Sequence, residues 1–290
     1  MSRAGQSYNP RGKKLLEKPV WLLITTALLI ASSACIGKTE ARQGLARSPR
    51  GPEPRLTIAI TYDNNPFDPR LRPAWGFSCV VSHRARTLLF DTGGDGSILL
   101  HNMGELGISP EEVDVVMLSH IHGDHVGGLV SFLRHNSDVA VYMPISFPQR
   151  LKEGVRLCGA RVIDVDEARE LSEDAFTTGE LDGGIKEQSL VLRTPRGLVV
   201  ITGCAHPGVV NIVQKAKEIG KDRVYLVLGG FHLSGAPVSQ IKSIIANFIE
   251  LGVEKVAPCH CTGDQARSLF RDRFGPNYIE CGVGRKIIIN

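Results

Sequence analysis

Residues 113–129 read VDVVMLSHIHGDHVGGL, an apolar run that stops at His120 and gives way to a compact cluster of imidazole, carboxylate and glycine. Within six residues, His120, His122, Asp124 and His125 offer nitrogen and oxygen donors of the kind that zinc, iron and manganese accept. The apolar run is predicted to be a buried strand. The turn after it should open a helix, because Gly123, Gly127 and Gly128 let the chain fold back tightly. On that path His120 and His122 can face one ion while Asp124 and His125 swing onto a second. The competing readings are a histidine-rich surface turn, or Asp124 as a helix cap with bystander histidines. Three histidines at this spacing directly after a buried strand argue against both.

Three further apolar runs end in the same way: GLVVITGCAH at His206, VYLVLGGFH at His232 and KVAPCH at His260. If the four strands lie side by side and run in one direction, four imidazoles meet at one sheet edge, where α/β proteins place their sites. The other candidate strands are 56–61, 77–82, 87–91, 139–143, 161–165, 189–194 and 286–289, with a hairpin turn at 195–197. A helix is predicted over 238–251. There Ile241, Ile244, Ile245, Phe248 and Ile249 recur with helical period and should form one buried stripe. Segments 62–75 and 171–187 carry no periodicity and read as long loops walling the active site.

Toward the N-terminus, Arg3, Arg11, Lys13, Lys14 and Lys18 precede the apolar run VWLLITTALLIA, the layout of an export signal. The expected organisation is a signal peptide over 1–34, a Pro- and Arg-rich tether over 35–55, and one folded domain over 56–290. Ser32, Ser33 and Ala34 suit cleavage just before Cys35. The same pattern makes Cys35 a candidate for lipid attachment, and extension of the apolar run to Ile36 would permit an uncleaved anchor. The expected location is therefore extracytoplasmic, either free in the periplasm or tethered to a membrane. Residues 1–34 hold five of the 34 Lys and Arg and one of the 30 Asp and Glu, so the rest of the chain carries 29 of each. A balanced domain lacks the basic face that nucleic acid requires, and the expected partner is a small-molecule substrate.

Seven cysteines in an exported chain invite disulfides, but Cys79, Cys204, Cys259 and Cys261 lie in apolar segments or beside histidines and read as buried thiols. A bridge between Cys158 and Cys281 stays open. Alternation along the strand would point Cys204, Cys259 and Cys261 away from the face that carries His260. His83, His101 and His135 have no partner pattern and read as structural or exposed.

The motifs LLFDTGG, LSHIHGDHVGGL, ITGCAHPG, VLGGFHL and PCHCTG, taken in this order over residues 56–290, resemble the metallo-β-lactamase superfamily. Within it they look like the subfamily named for dihydropterin-methyl-ribofuranosylaminobenzene 5′-phosphate synthase. The resemblance implies an α/β fold, a four-layer αββα sandwich with a dinuclear centre on one edge. It would place one metal on His120, His122 and His206, and the other on Asp124, His125 and His260, with two divalent ions, Zn or alternatively Fe or Mn. The sequence departs from the family pattern after the strand VYLVLGGFH, where most relatives have a metal-bridging Asp and this chain has His232. The resemblance also makes Asp91 a partner that orients a ligand histidine, against the plain alternative of a turn residue at a strand end.

Asp63 and Asn64 are candidate pocket residues on the first long loop, or ordinary loop residues. Glu187 reads as a solvated charge or a substrate contact. Thr262 either lends its backbone amide to an anionic group or caps the helix that follows.

The expected activity is hydrolysis of an ester, lactone, amide or phosphoester by a metal-bound hydroxide, with Asp124 binding metal and orienting the nucleophile. His232 is the candidate for the leaving-group or oxyanion contact if it is not a ligand. The alternatives are the pterin transferase chemistry of the subfamily's name, an iron-dependent persulfide dioxygenase, and a non-catalytic extracytoplasmic metal-binding protein. Export argues against the first, because its substrates are cytoplasmic.

Overall fold

The computed structural model describes residues 56–84 and 86–290. The expected leader, the tether and Cys35 lie outside the described residues. One sheet has seven strands in the order β13 (Lys286–Ile289), β1 (Leu56–Asp63), β2 (Phe77–His83), β3 (Arg86–Phe90), β4 (Val115–Met117), β5 (Ala140–Pro144) and β6 (Arg161–Val165). The second has six, in the order β12 (Lys255–Cys259), β11 (Val224–Gly230), β10 (Gly197–Thr202), β9 (Leu190–Thr194), β8 (Ala175–Gly179) and β7 (Glu167–Ser172). In both sheets one half is antiparallel and the other parallel: β3 through β6 run together, as do β10, β11 and β12.

The period of two along each strand explains the layering. Ile58 and Ile60 of β1, Val199 and Ile201 of β10, and Leu226 and Leu228 of β11 fill a core between the sheets. Their neighbours Leu198, Val200 and Val227 face outward and are covered by the helices Val209–Gly220, Val238–Glu250 and Asp264–Phe274. On the other side, Leu89, Val116 and Val141 are covered by the helices Gly96–Glu105, Leu129–His135 and Gln149–Leu157. Three apolar interfaces make four layers, the αββα sandwich. Each fully buried Leu, Ile or Phe in them contributes about 1.5–3 kcal/mol of transfer free energy.

Four expectations need correction. The helix over Val238–Glu250 buries Ile241, Ile245 and Phe248, but Ile249 is exposed, so the stripe is narrower than its period suggested. Segment 171–187 is not one loop, because β7 and β8 form a hairpin across its first half. The sequence carries no strand signal there because Glu167, Arg169 and Glu170 on the outer strand are exposed and polar, as suits a sheet edge. The strand before His120 is short, ending at Met117. Lastly, the four histidine-bearing strands are not all neighbours: β10, β11 and β12 are, whereas β4 belongs to the opposite sheet. The histidines therefore meet across the mouth between the two sheets. The six described cysteines are all thiols, so Cys158 and Cys281 are not joined. No helix among the described residues is long and apolar enough to cross a membrane.

Candidate metal centre

Four of the strands that feed the site end in a sharp change of direction. Asp91 after β3, Ala205 after β10, His232 after β11 and His260 after β12 all have φ between 47 and 61°, in the left-handed region that costs a non-glycine residue about 1–2 kcal/mol. At Gly127 a side chain is excluded outright, because a Cβ would lie 2.3 Å from the carbonyl oxygen of Gly94. The helix Gly123–Val126 thereby sits close against the loop after β3.

The turns gather the side chains into two groups. In the first, the rings of His120, His122 and His206 lie 4.6 to 4.9 Å apart, and His120 Nε2 is 3.1 Å from His122 Nδ1. In the second, His125 Nε2 and His260 Nε2 are 3.2 Å apart, and Asp124 Oδ2 lies 3.7 and 3.3 Å from them. His120, His125 and His260 are buried.

Their outer nitrogens are fixed one by one. His125 Nδ1 donates to Asp91 Oδ2 at 2.7 Å, and His206 Nδ1 donates to Glu187 Oε2 at 2.8 Å. His260 Nδ1 donates to Asn64 Oδ1 at 2.9 Å, an orientation supported by the Asn64 Nδ2 contact with the His260 carbonyl. Ser119 Oγ gives its proton to Asp91 Oδ2, so it accepts from His120 Nδ1 at 2.8 Å. With the protons held on Nδ1, the four Nε2 atoms point inward as bare electron pairs. Two such pairs 3.2 Å apart beside a carboxylate repel one another unless a cation lies among them, so the donor set fits metal ions.

The electrostatics agree. Burial pushes the imidazoles of His120 and His122 below the ordinary range, keeping them neutral. Burial works to raise the Asp124 carboxyl, yet the neighbouring imidazoles of His260 and His125 hold it well below the usual carboxylate range. Glu187 is held at about 2: its burial is outweighed by His206, His120 and backbone amides. Burial raises Asp91 despite its contacts with His125 and Ser119.

The structure thus brings His120, His122, Asp124, His125, His206 and His260 to one place, with Asp91 and Asn64 behind them. Asp63 does not line the pocket. It is fully buried and accepts from the backbone N–H groups of Asn65 and His260, pinning the turn that carries His260. Thr262 neither binds at the surface nor caps a helix: it is buried, donates to the Cys259 carbonyl and accepts from the Phe231 amide, tying the ends of β11 and β12 together. The ring of His232 is exposed and lies 4.6 Å from that of His206. Trp75, 58% exposed, stands 4.9 Å from the His260 ring, so the first long loop does supply a wall. His83, His101 and His135 stay outside the cluster.

Two further expectations about the site fail. Glu187 is not solvated: it is fully buried and accepts from the four consecutive amides of Gly203, Cys204, Ala205 and His206 as well as from His206 Nδ1. The clue in the sequence was a lone acid directly before an apolar strand. Cys204 and Cys261 do not point away from the histidines: Cys204, two residues from His206, lies on the same side as that ring, and the left-handed turn at His260 breaks the alternation that would have separated Cys261 from it. Only Cys259 behaves as expected and packs between the sheets.

Comparison with known proteins gives a consistent picture. Residues 76–260 match the family model of the metallo-beta-lactamase superfamily. A Methanocaldococcus jannaschii protein, 7,8-dihydropterin-6-methyl-4-(beta-D-ribofuranosyl)-aminobenzene-5′-phosphate synthase, is 30% identical over 247 residues, spanning 70% of this chain and 84% of its own. The crystal structure of Tm1679, a metal-dependent hydrolase of the beta-lactamase superfamily, superposes with a TM-score of 0.68 at 31% identity, covering 80% of this chain and 98% of Tm1679. Zn(2+)-bound PqqB from Methylobacterium extorquens shares the fold at 12% identity, with a TM-score of 0.53, over 80% of this chain and 99% of its own.

Proposed function

Since the chain belongs to the metallo-β-lactamase superfamily, we propose that it is a metal-dependent hydrolase holding two divalent ions, one on His120, His122 and His206 and the other on Asp124, His125 and His260. The observation that carries this reading is the set of four imidazoles whose Nδ1 protons are each committed to an acceptor, leaving Nε2 free for a cation. Ions held there would supply Lewis acidity and a water whose pKa is drawn toward neutrality.

The chain's own part is orientation and proton control. Asp91 and Glu187 fix the tautomers and planes of His125 and His206. Asp124, kept ionised by His260 and His125, offers an electron pair at neutral pH and accepts a hydrogen bond from the attacking water. The exposed ring of His232 beside His206 is placed to meet the leaving group or the oxygen on which charge develops, and Trp75 gives an apolar wall for the substrate. Esters, lactones, amides and phosphoesters all present a centre that such a site can attack.

A second reading follows from the relative named as a synthase, 30% identical to this chain: transfer of a pterin group to a ribofuranosylaminobenzene phosphate. Export by residues 1–34, with release into the periplasm or a tether through Cys35, is part of the hydrolase reading and rests on the charge and hydropathy of that segment. Metal analysis of the purified protein, followed by assay on panels of esters, lactones, amides and phosphoesters, tests the proposal. Two equivalents of metal with hydrolysis support it. Condensation without hydrolysis favours the transferase, oxygen consumption with a persulfide favours a dioxygenase, and a protein that binds no metal overturns the centre itself.

A further inference from the structure

No carboxylate follows β11 before Glu250, where the resemblance implies a bridging Asp, and the structure offers another donor in the middle of the site. Cys204 Sγ lies 3.2 Å from His125 Nε2. It forms one group of converging donor atoms with His120 and His206, and a second with His125 and His260, each group within 4.8 Å. A third such group joins it to His232 and Cys261, so among the described residues Cys204 alone is common to all three.

Its position is built rather than incidental. The turn from Gly203 to His206 wraps its four N–H groups around the Glu187 carboxylate at 2.9 to 3.1 Å, a concave nest of amides around an anion. The same carboxylate orients His206, so one buried acid sets both the thiol and the imidazole. Gly203 has no room for a side chain, since a Cβ would fall 2.2 Å from Ser119 Oγ, which locks this turn against the loop that carries His120. The residue is only 4% exposed, and its thiol faces His125 on one side and Cys261 on the other.

We propose that Cys204 is a metal ligand shared by the two ions, a thiolate standing in for the bridging carboxylate. The proposal rests on the dinuclear reading given above. Sγ binds through its electron pairs after its proton leaves to solvent, and no bond to carbon changes. Sulfur is a soft donor, so the centre selects zinc or iron over manganese or magnesium. Cys261 is not the shared ligand, because it occurs only in the outer group with His232, and its Sγ lies 3.7 Å from the Cys204 carbonyl.

The test uses the full chain, stripped and reloaded with cobalt(II) alone or cadmium(II) alone. Expected are two equivalents of cobalt with a near-ultraviolet sulfur-to-cobalt charge-transfer band, and two cadmium NMR resonances coupled to the β-protons of one cysteine. Cys204→Ser should abolish the band and weaken zinc binding by more than the ~10–100-fold that loss of an orienting partner causes. Cys204→Asp should retain two equivalents without the band, and Cys261→Ser should leave the band in place. Two equivalents of cobalt in the unaltered protein with no such band would overturn the thiolate and leave the metal centre standing. A band lost in Cys261→Ser but kept in Cys204→Ser would also overturn it, as would coupling of only one cadmium to cysteine. Failure to bind any metal would remove the dinuclear reading as well. The NMR and absorption measurements on the unaltered chain decide the matter even if Cys204→Ser does not fold.

Discussion

Replacing Glu187 by Gln changes one buried oxygen to an NH₂ group and little else. The carboxylate accepts from the amides of Gly203, Cys204 and Ala205 on Oε1, and from the amide and Nδ1 of His206 on Oε2. A carboxamide has a single accepting oxygen, so whichever way it turns, at least two buried donors lose their acceptor. At about 1–3 kcal/mol for each orphaned group, Glu187→Gln should cost about 2–6 kcal/mol, a large part of the ~5–15 kcal/mol of a typical domain. The effect has a pH signature. The carboxyl sits at about 2 in the folded chain against an ordinary 4.5, because its hydrogen bonds from His206 and the backbone amides outweigh its burial. A pKa lowered by folding gives stability that is present above 4.5 and lost as the pH falls toward 2, on the order of 3 kcal/mol in all. Urea unfolding of both proteins in chelator, at pH 7 and again at pH 3, measures the difference. The gap should narrow by about 2 kcal/mol at pH 3, because the unfolded chain of the wild type then binds a proton at this carboxyl that the folded chain still excludes, whereas the amide binds none in either state. Equal stabilities at pH 7, or a gap that ignores pH, would refute the role given to this residue.

Asp91→Asn takes the carboxylate from behind His125 and should lower metal affinity by about 10–100-fold, measured by chelator competition; unchanged affinity would mean that His125 is oriented by packing alone. On the proposed role of His232 as a substrate contact, His232→Ala should retain two metal equivalents and lose turnover. Loss of one equivalent would make it a ligand, and full activity would make it a bystander. Trp75→Ala should leave thermal stability within about 0.5 kcal/mol and raise KM with little change in kcat, as expected of an exposed wall; a fall in metal content would show that it supports His260 instead.

Which of these residues could be read from the sequence follows from the range of the forces that place them. Strand and helix periodicity is local, so β6, β10, β12 and β13 were legible to the residue, and so was the convergence of histidines after apolar runs. The hydrogen-bond partners of those histidines are not local. Glu187 and His206 are 19 residues apart, and Asn64 and His260 are 196 apart, so a lone acid and a loop asparagine carried no mark of their partners. The β7 and β8 hairpin was hidden for another reason: an edge strand that avoids aggregation has the polar sequence of a loop.

The cysteines misled through an assumption of regular backbone at the place where regularity ends. Strand alternation holds along β10 up to Thr202 and along β12 up to Cys259, and the chain then turns left-handed at Ala205 and His260. A relaxed strand could deliver at most every second side chain to one face. That spacing suffices for Cys204 and His206, two residues apart, whereas the strained turn at His260 brings the adjacent Cys261 to the same side of the chain. The cost of about 1–2 kcal/mol at each left-handed residue is offset locally, by the Glu187 carboxylate under one turn and by Asp63 under the other. Two buried acids therefore set which donor side chains converge at the mouth between the sheets. A chain with the same HxHxDH stretch but neither acid would keep that motif's ligands and lose the convergence that the second sheet provides.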